Sequence, residues 1–100
     1  MQCNRIQELY QLFKGMANKK RLVMLENLME KEMNVSELAI LLDVSQSNAS
    51  HNLSILKKCG LVSMRKSGKH RIVTVNKETV DMFFRVASNH FENKKQPIIV

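Results

Sequence analysis

Apolar residues recur at helical spacing near both ends of the chain. One apolar stripe predicts a first helix from about residue 5 to 16, and a broader one predicts a last helix from about 78 to 93. So much apolar surface on terminal helices is more than a small core needs, so we expect it to pair two copies of the chain. The residues predicted at this contact are Ile6, Leu9, Tyr10, Phe13, Phe83, Phe84, Ala87 and Phe91.

Three further helices are predicted between these two. Asn18 is the expected cap of the second helix, Ser36 of a third at 37–42, and Ser45 of a fourth that ends near Cys59. The buried face of the second helix is expected to comprise Leu22, Val23, Leu25, Leu28 and Met29. Residues 33–35 read as an extended link. A tight turn at 43–44 joins the third and fourth helices into a helix-turn-helix.

The outer face of the fourth helix is small and polar. Ser47, Ser50, His51, Ser54 and Lys58 follow one another at steps of three, four, three and four, so they share one side of a helix. A core helix would be apolar there, and a purely solvated helix would carry Glu and Lys. Short polar side chains can meet base edges or phosphates without clashing.

Two strands rich in Val, Ile and Thr follow, at 61–65 and 71–75. The connection between them contains Gly68, which can adopt the positive φ of a tight turn. A basic hairpin directly after a helix-turn-helix is typical of a wing, which lies along the phosphate backbone or enters a minor groove. The alternative is an ordinary surface hairpin with lysines. The predicted fold is mainly helical with a small β-hairpin, a winged helix-turn-helix.

The positive charge is concentrated in the same stretch. The formal net charge is +7, and residues 44–77 hold seven of the 16 bases and none of the nine acids. A patch of one sign on a small domain favours a polyanionic partner, although a solvated basic face is the alternative. The predicted DNA-binding residues are Gln46, Ser47, Asn48, Ser50, His51, Lys57, Lys58, Arg65, Lys66, Lys69, His70 and Arg71.

Three further bases, Lys19, Lys20 and Arg21, crowd the first turn of the second helix. Their charge has the wrong sign for the helix dipole. They are interpreted either as phosphate contacts or as residues that simply increase solubility.

Length and composition limit the other possibilities. One hundred residues predict a single domain, assigned to 1–93, followed by a flexible tail at 94–100. No apolar run approaches the roughly 20 residues of a membrane span, and the polar start lacks a signal core, so a cytoplasmic protein is expected. No phosphate loop, nucleophile motif or recognisable pair of carboxylates is present, so neither an enzyme nor a cofactor is expected.

The order of elements resembles that of the ArsR/SmtB family of small winged-helix repressors, from about residue 5 to 91. Three stretches carry the resemblance: 16–22, then 45–56 continuing into Gly60-Leu61-Val62, and 65–69. Lys19 stands where the family often has proline, and Asn52 where it often has histidine. The resemblance implies a homodimer paired through its first and last helices. It also implies recognition helices in successive major grooves of an inverted repeat, about 34 Å apart. Repression would end when an effector binds.

The resemblance also bears on the effector. Many relatives bind metal, but the matching positions here are Asn34 and Ser36 for one site and Lys77, Thr79, His90 and Asn93 for another. Only His90 among them is a usual metal ligand, so no metal is expected. Cys59 falls near a cysteine that some relatives use, which makes Cys3 and Cys59 candidate thiol sensors, although an isolated cysteine is usually a small buried hydrophobe.

A different class of function is also compatible with the sequence. The chain would be a protein-interaction adaptor if it kept the winged-helix fold but paired with another protein. Such an adaptor is expected to have an acidic or apolar recognition face, which this sequence lacks. The effector remains unidentified from the sequence.

Overall fold

The computed structural model describes residues 2–95, and the side chains of 4–93. The predicted winged helix-turn-helix is confirmed. The elements in chain order are α1 Gln2–Met16, α2 Lys19–Glu30, β1 Met33–Asn34, α3 Val35–Leu42, α4 Gln46–Lys58, β2 Val62–Ser67, β3 His70–Val75 and α5 Lys77–Lys95. Among these residues, no helix combines the length and the apolar character that crossing a membrane requires.

The sheet has three antiparallel strands in the order β1-β3-β2. Val73 in the central strand lies opposite Met33 on one side and Met64 on the other. Residues 33–35, predicted as an extended link, instead include a short strand that pairs with β3. A strand of two residues is too short to show the alternation of apolar and polar positions that identifies longer strands.

The core lies between α2, α3, α4 and the sheet, and α5 contributes Val80. Its fully buried side chains are Met24, Leu25, Leu28, Leu38, Leu53, Leu56, Leu61, Val73 and Val80. One position of the predicted buried face of α2 is wrong, because Val23 is 39% exposed. Met24, which the predicted face omitted, takes the inward place beside Leu25.

Side-chain caps fix where the inner helices begin. The Asn18 and Ser45 caps are confirmed, since Asn18 Oδ1 accepts from the Arg21 amide at 3.1 Å and Ser45 Oγ from the Asn48 amide at 3.0 Å. The Ser36 cap is wrong, because α3 begins earlier. Asn34 Oδ1 accepts from the Glu37 amide and the Glu37 carboxylate accepts from the Asn34 amide, both at 2.8 Å. This reciprocal pair satisfies two backbone donors at once, which a serine inside the first turn cannot do.

The wing is a tighter hairpin than predicted. Ser67 pairs with His70 across a turn formed by Gly68 and Lys69, and Gly68 has φ 63°. Both strands therefore reach further towards the tip than the apolar pattern indicated. α5 continues to Lys95, so the first two residues assigned to the tail are helical; residues 96–100 lie outside the described residues, and a flexible tail there stays a prediction.

Candidate nucleic-acid interface

The predicted two faces of α4 are separated as expected. Ser47, His51 and Ser54 are exposed on one side, and Leu53 and Leu56 are fully buried on the other. Ala49 is also buried, whereas Ile55 is only half-buried. The outer face of α4 thus presents hydroxyl and imidazole groups on a helix that the core holds in place.

One hydrogen bond joins the recognition helix to the wing. Arg71 Nη2 donates to Ser50 Oγ at 3.1 Å. Arg71 is the second residue of β3 and lies opposite Lys66 of β2 in the register. The polar face of α4 and the basic wing therefore belong to one surface, which we call the α4–wing surface and define by the 12 predicted DNA-binding residues.

Most cations of this surface are exposed and available to an anion. Lys57, Lys58, Lys66 and Lys69 are all exposed, and within residues 2–95 none of them forms an ion pair with a carboxylate. Arg65 differs, because its Nη2 lies 3.0 Å from Glu32 Oε1, with both side chains more than half exposed. Such an exposed pair is weak, so a phosphate would compete with Glu32 for Arg65.

The turn and the helix start hold the remaining predicted residues. His70 is exposed where β3 begins. Gln46 is exposed at the first position of α4, and its Nε2 donates to Ser36 Oγ at 2.7 Å. This bond ties the first helix of the helix-turn-helix to the second.

A polar network that the sequence did not predict lies behind the recognition helix. Arg21 Nε donates to the Gly15 carbonyl at 2.6 Å, and its Nη1 donates to Asn52 Oδ1 at 2.9 Å. Asn52 is only 6% exposed, and its amide in turn donates to Asn48. The only signal in the sequence was a polar residue among the buried positions of α4. Arg21 therefore binds protein groups, whereas Lys19 and Lys20 are exposed.

Cys59 lies where α1 and α4 meet. It is half-buried, its Sγ donates to the Gln11 carbonyl at 3.4 Å, and it packs against Gly15. Lys14 and Lys58 also line the cavity of about 320 Å³ beside it. The side chain of Cys3 lies outside the described residues, so thiol sensing by the two cysteines stays a prediction.

No metal centre is found in the part of the chain that the structure describes. Within it, no three His, Cys, Asp or Glu side chains come together in a way that could hold a metal ion. The positions where metal-binding relatives have ligands serve other purposes here, since Asn34 caps α3 and the Thr79 amide donates to Asn76 Oδ1 at 3.3 Å.

A second, apolar surface is formed by α1 and α5. Most of the large exposed hydrophobic residues lie on these two helices, and we call them the α1–α5 surface: Ile6, Leu9, Tyr10, Phe13, Met82, Val86 and Phe91. Phe13 and Phe83 meet edge to face with ring centroids 6.1 Å apart. Phe83 and Phe84 are half-buried, and Ala87 is exposed. The prediction omitted Met82 and Val86.

The sequence matches a known family over its central elements. The model for bacterial regulatory proteins of the arsR family matches residues 18–64, from the α2 cap into β2. The transcriptional activator HlyU of Vibrio cholerae is 39% identical over 69 residues, which cover 69% of this chain and 64% of HlyU. The transcriptional repressor SmtB homolog of Synechocystis is 28% identical over 92 residues, 92% of this chain and 70% of the homolog. The chain thus spans about two thirds of the length of these curated relatives.

Solved structures show the same architecture. HlyU from Vibrio cholerae superposes with a TM-score of 0.71 at 32% identity, covering 82% of this chain and 94% of that chain. The homodimeric winged helix-turn-helix DNA-binding domain from Mycobacterium bovis, solved by NMR, gives a TM-score of 0.83 at 24% identity over 99% of this chain and 92% of that one. The family match, the HlyU likeness and the shared fold together place the sequence: the chain belongs to the ArsR family of bacterial regulatory proteins.

Proposed function

We propose that this chain is a transcriptional repressor that binds an inverted-repeat DNA operator as a homodimer and is released by an effector. α4 enters the major groove, and the β2–β3 wing lies along the backbone or in the adjacent minor groove. Because the target is chromosomal DNA of a prokaryotic cell, the proposed location is the cytoplasm.

The observation that carries the proposal is the contact between Arg71 and Ser50. It unites a helix face of small polar groups with a hairpin whose lysines are exposed and free of carboxylate partners among residues 2–95. Double-stranded DNA requires both features on the same side of a protein, since phosphate contacts position it and base contacts select the sequence.

The residues divide into two proposed roles. The α4 side chains that approach base edges are Gln46, Ser47, Asn48, Ser50 and His51. The side chains that contact the phosphate backbone are Lys57, Lys58, Arg65, Lys66, Lys69, His70 and Arg71. The second group supplies most of the affinity and the first group most of the selectivity.

Support for the dimer comes from the α1–α5 surface. Ile6, Val86 and Phe91 are 69%, 59% and 60% exposed in the single chain, an unusual amount of apolar side chain to leave in water. The M. bovis domain with this fold is described as homodimeric. A two-fold dimer would present two α4–wing surfaces to an inverted repeat.

The adaptor alternative is not favoured by the structure of the recognition face. Ser47, His51, Lys66 and Lys69 are exposed and are polar or basic, rather than acidic or apolar. Relatives include both an activator and a repressor by name, so the direction of regulation needs its own test. A reporter driven by the chain's own promoter should rise in a deletion strain if the protein represses; a fall would indicate activation.

Direct binding tests the proposal. Fluorescence anisotropy with labelled duplexes that tile the region upstream of the chain's own gene should reveal one that binds at nanomolar concentration. An excess of unlabelled random duplex should displace it only weakly. Arg85→Ala serves as a matched control, because Arg85 is an exposed cation on α5 that pairs with Asp81 at 2.9 Å, outside the α4–wing surface. Equal, weak binding to every duplex would contradict sequence-specific recognition.

A further inference from the structure

The chemistry of arginine fixes the orientation of the buried Asn52 amide. The oxygen and nitrogen of an Asn amide are hard to tell apart by shape, so neighbouring groups must decide between them. Arg21 can only donate hydrogen bonds, and its Nη1 lies 2.9 Å from one end of the Asn52 amide. That end must therefore be the oxygen, and the amino group must point the other way.

The amino group of Asn52 in turn fixes Asn48. Its Nδ2 lies 3.1 Å from the Asn48 carbonyl and 3.0 Å from Asn48 Oδ1. Both protons of Nδ2 are used, and both acceptors belong to Asn48. The side-chain oxygen of Asn48 is consequently held against the protein by Asn52, and its amino group is left for a partner outside.

Asn48 is placed where such a partner would be DNA. It lies in the first turn of α4, it is exposed, and its backbone amide is held by the Ser45 cap at 3.0 Å. In winged and other helix-turn-helix proteins the N-terminal residues of the recognition helix contact base edges. A free asparagine reads adenine by accepting from N6 and donating to N7 at once. The Asn48 oxygen is turned towards Asn52, so the end of the amide that faces outward is the amino group, which can only donate.

We infer that Arg21 and Asn52 are positioning residues that make Asn48 a donor-only reader, which selects an acceptor edge such as guanine O6 and N7 or thymine O4. This inference rests on the proposed DNA-binding function and adds the chemistry of one base position to it. Arg21 fixes which end of the Asn52 amide faces Asn48, and Asn52 in turn fixes which end of the Asn48 amide faces the major groove. We call this chain of hydrogen bonds the relay.

Reversing the relay tests the inference. Asn52→Asp keeps the size of the side chain and keeps an acceptor for Arg21, but it removes the donor that faces Asn48. The Asn48 amide must then turn its amino group towards the new carboxylate and its oxygen outward. In selection from duplexes with randomised half-sites, one position should switch from guanine or thymine to a base with an exposed amino group, adenine or cytosine, by about tenfold. Preferences at the other positions should stay as they are.

Asn27→Asp is the matched control. Asn27 Nδ2 also donates to the carbonyl four residues before it, Val23 O at 2.8 Å, so this variant makes the same substitution and removes the equivalent bond on α2. It should leave all base preferences unchanged. A change shared by Asn27→Asp and Asn52→Asp would be a charge effect and would overturn the inference.

A second variant keeps the test sharp if Asn52→Asp lowers the melting temperature too far. Asn48 is exposed, so Asn48→Asp should fold, and its carboxylate can accept from Asn52 with one oxygen while the other faces the groove. It should show the same switch towards adenine or cytosine, with lower overall affinity. Folded variants that bind with the original preference at every position would overturn the inference and leave the proposed function intact. Failure of the unaltered protein to bind any duplex would instead refute the proposed function, and the inference with it.

Discussion

The α4–wing surface and the α1–α5 surface differ in how far a single chain satisfies its own groups. On the α4–wing surface, side chains are held by specific bonds: Arg71 to Ser50, Gln46 to Ser36, and Arg65 to Glu32. On the α1–α5 surface, large apolar groups such as Ile6, at 69% exposure, and Phe91, at 60%, lie in water. The first surface is organised before any partner binds, whereas the second is buried only when a partner covers it.

The difference indicates two kinds of partner. Preset hydrogen bonds, and lysines without carboxylate partners among residues 2–95, favour a partially hydrated, anionic surface that is bound and released. Exposed apolar helices favour lasting burial against a second copy. The helices that carry the two surfaces contact each other at Gly15 and Cys59, where the end of α1 packs against the end of α4. A substitution at that junction is therefore expected to affect both surfaces.

Disrupting the apolar surface should have the largest effect. Val86→Glu places a charge on a side chain that is 59% exposed in the single chain and that we expect to be buried in the dimer. An unpaired carboxylate buried in each protomer costs at least about 3 kcal/mol, so the dimer should dissociate more than about 100-fold more readily. Sedimentation equilibrium should then show monomers, and operator affinity should fall with them.

Ile40→Glu is the control for that experiment. Ile40 is 80% exposed, but it lies on α3, away from the α1–α5 surface. The variant should remain dimeric. If Ile40→Glu produced monomers and Val86→Glu did not, the dimer would use a different face.

Adding a side chain at Gly15, where α1 packs against Cys59, should have the next largest effect, in this case on stability. A Cβ on Gly15 would overlap Cys59 Sγ, while its next neighbours, Cys59 Cβ at 3.5 Å and Ile55 Cγ2 at 3.9 Å, are at ordinary contact distances. Gly15→Ala should therefore lower the free energy of unfolding by about 1–3 kcal/mol, measured by urea titration. In a Cys59→Ala background the clash is absent, so the same change should be neutral or stabilising because alanine favours helix. An equal loss in both backgrounds would mean that the sulfur is not the obstacle.

Removing a wing lysine should weaken DNA binding without changing selectivity. Lys69→Ala, in the turn between β2 and β3, removes one proposed phosphate contact from each protomer. The slope of log K against log salt should become shallower by about one unit for each phosphate that is no longer bound, or about two for the dimer. Anisotropy titrations at several salt concentrations measure the slope, and Arg85→Ala provides the comparison. A slope equal to that of the unaltered protein would remove the wing from the interface.

Changing a single side chain that we propose to read bases should mainly affect selectivity. Ser47→Ala or His51→Ala removes an exposed polar group from the outer face of α4. Each should change the difference in binding free energy between operators that differ at one base pair by about 1–3 kcal/mol, as measured by competition binding. Uniform weakening across all duplexes would instead argue that these side chains contact phosphate.

Releasing Arg65 should produce the smallest effect and one of opposite sign. Glu32→Gln removes the carboxylate that lies 3.0 Å from Arg65 Nη2. An exposed pair of this kind is worth about 0.2–1 kcal/mol, so operator affinity should rise by a fewfold at most for each protomer. Competition binding at low salt would detect the gain. Weaker binding of this variant would show that Glu32 holds Arg65 in the geometry that DNA requires.

Features that depend on local spacing were predictable from the sequence. The caps at Asn18 and Ser45, the polar face around Ser47 and His51, and the turn at Gly68 all follow from residue type and neighbouring positions. The α3 cap was wrong because Asn34 and Ser36 are both capable caps. The choice between them depends on the reciprocal bond to Glu37.

Features that depend on contacts distant in the chain were not predictable. Arg21 and Asn52 are 31 residues apart, and nothing local to either indicates that they bond. The sequence therefore shows Arg21 only as one of three basic residues at a helix start, and Asn52 only as a departure from a common histidine. The close packing of Gly15 against Cys59 was hidden in the same way. Such pairs arise from how helices cross, which periodicity along one helix does not specify.

The central claim is that two α4–wing surfaces bind one double helix. Its most direct test is to measure how binding of the purified protein to the upstream duplex depends on salt. We expect saturable binding of one dimer per site, with log K falling against log salt at a slope of about −5 or steeper, equivalent to roughly six phosphate contacts. Binding that does not saturate at a defined stoichiometry, or that hardly changes with salt, would contradict this mode of recognition.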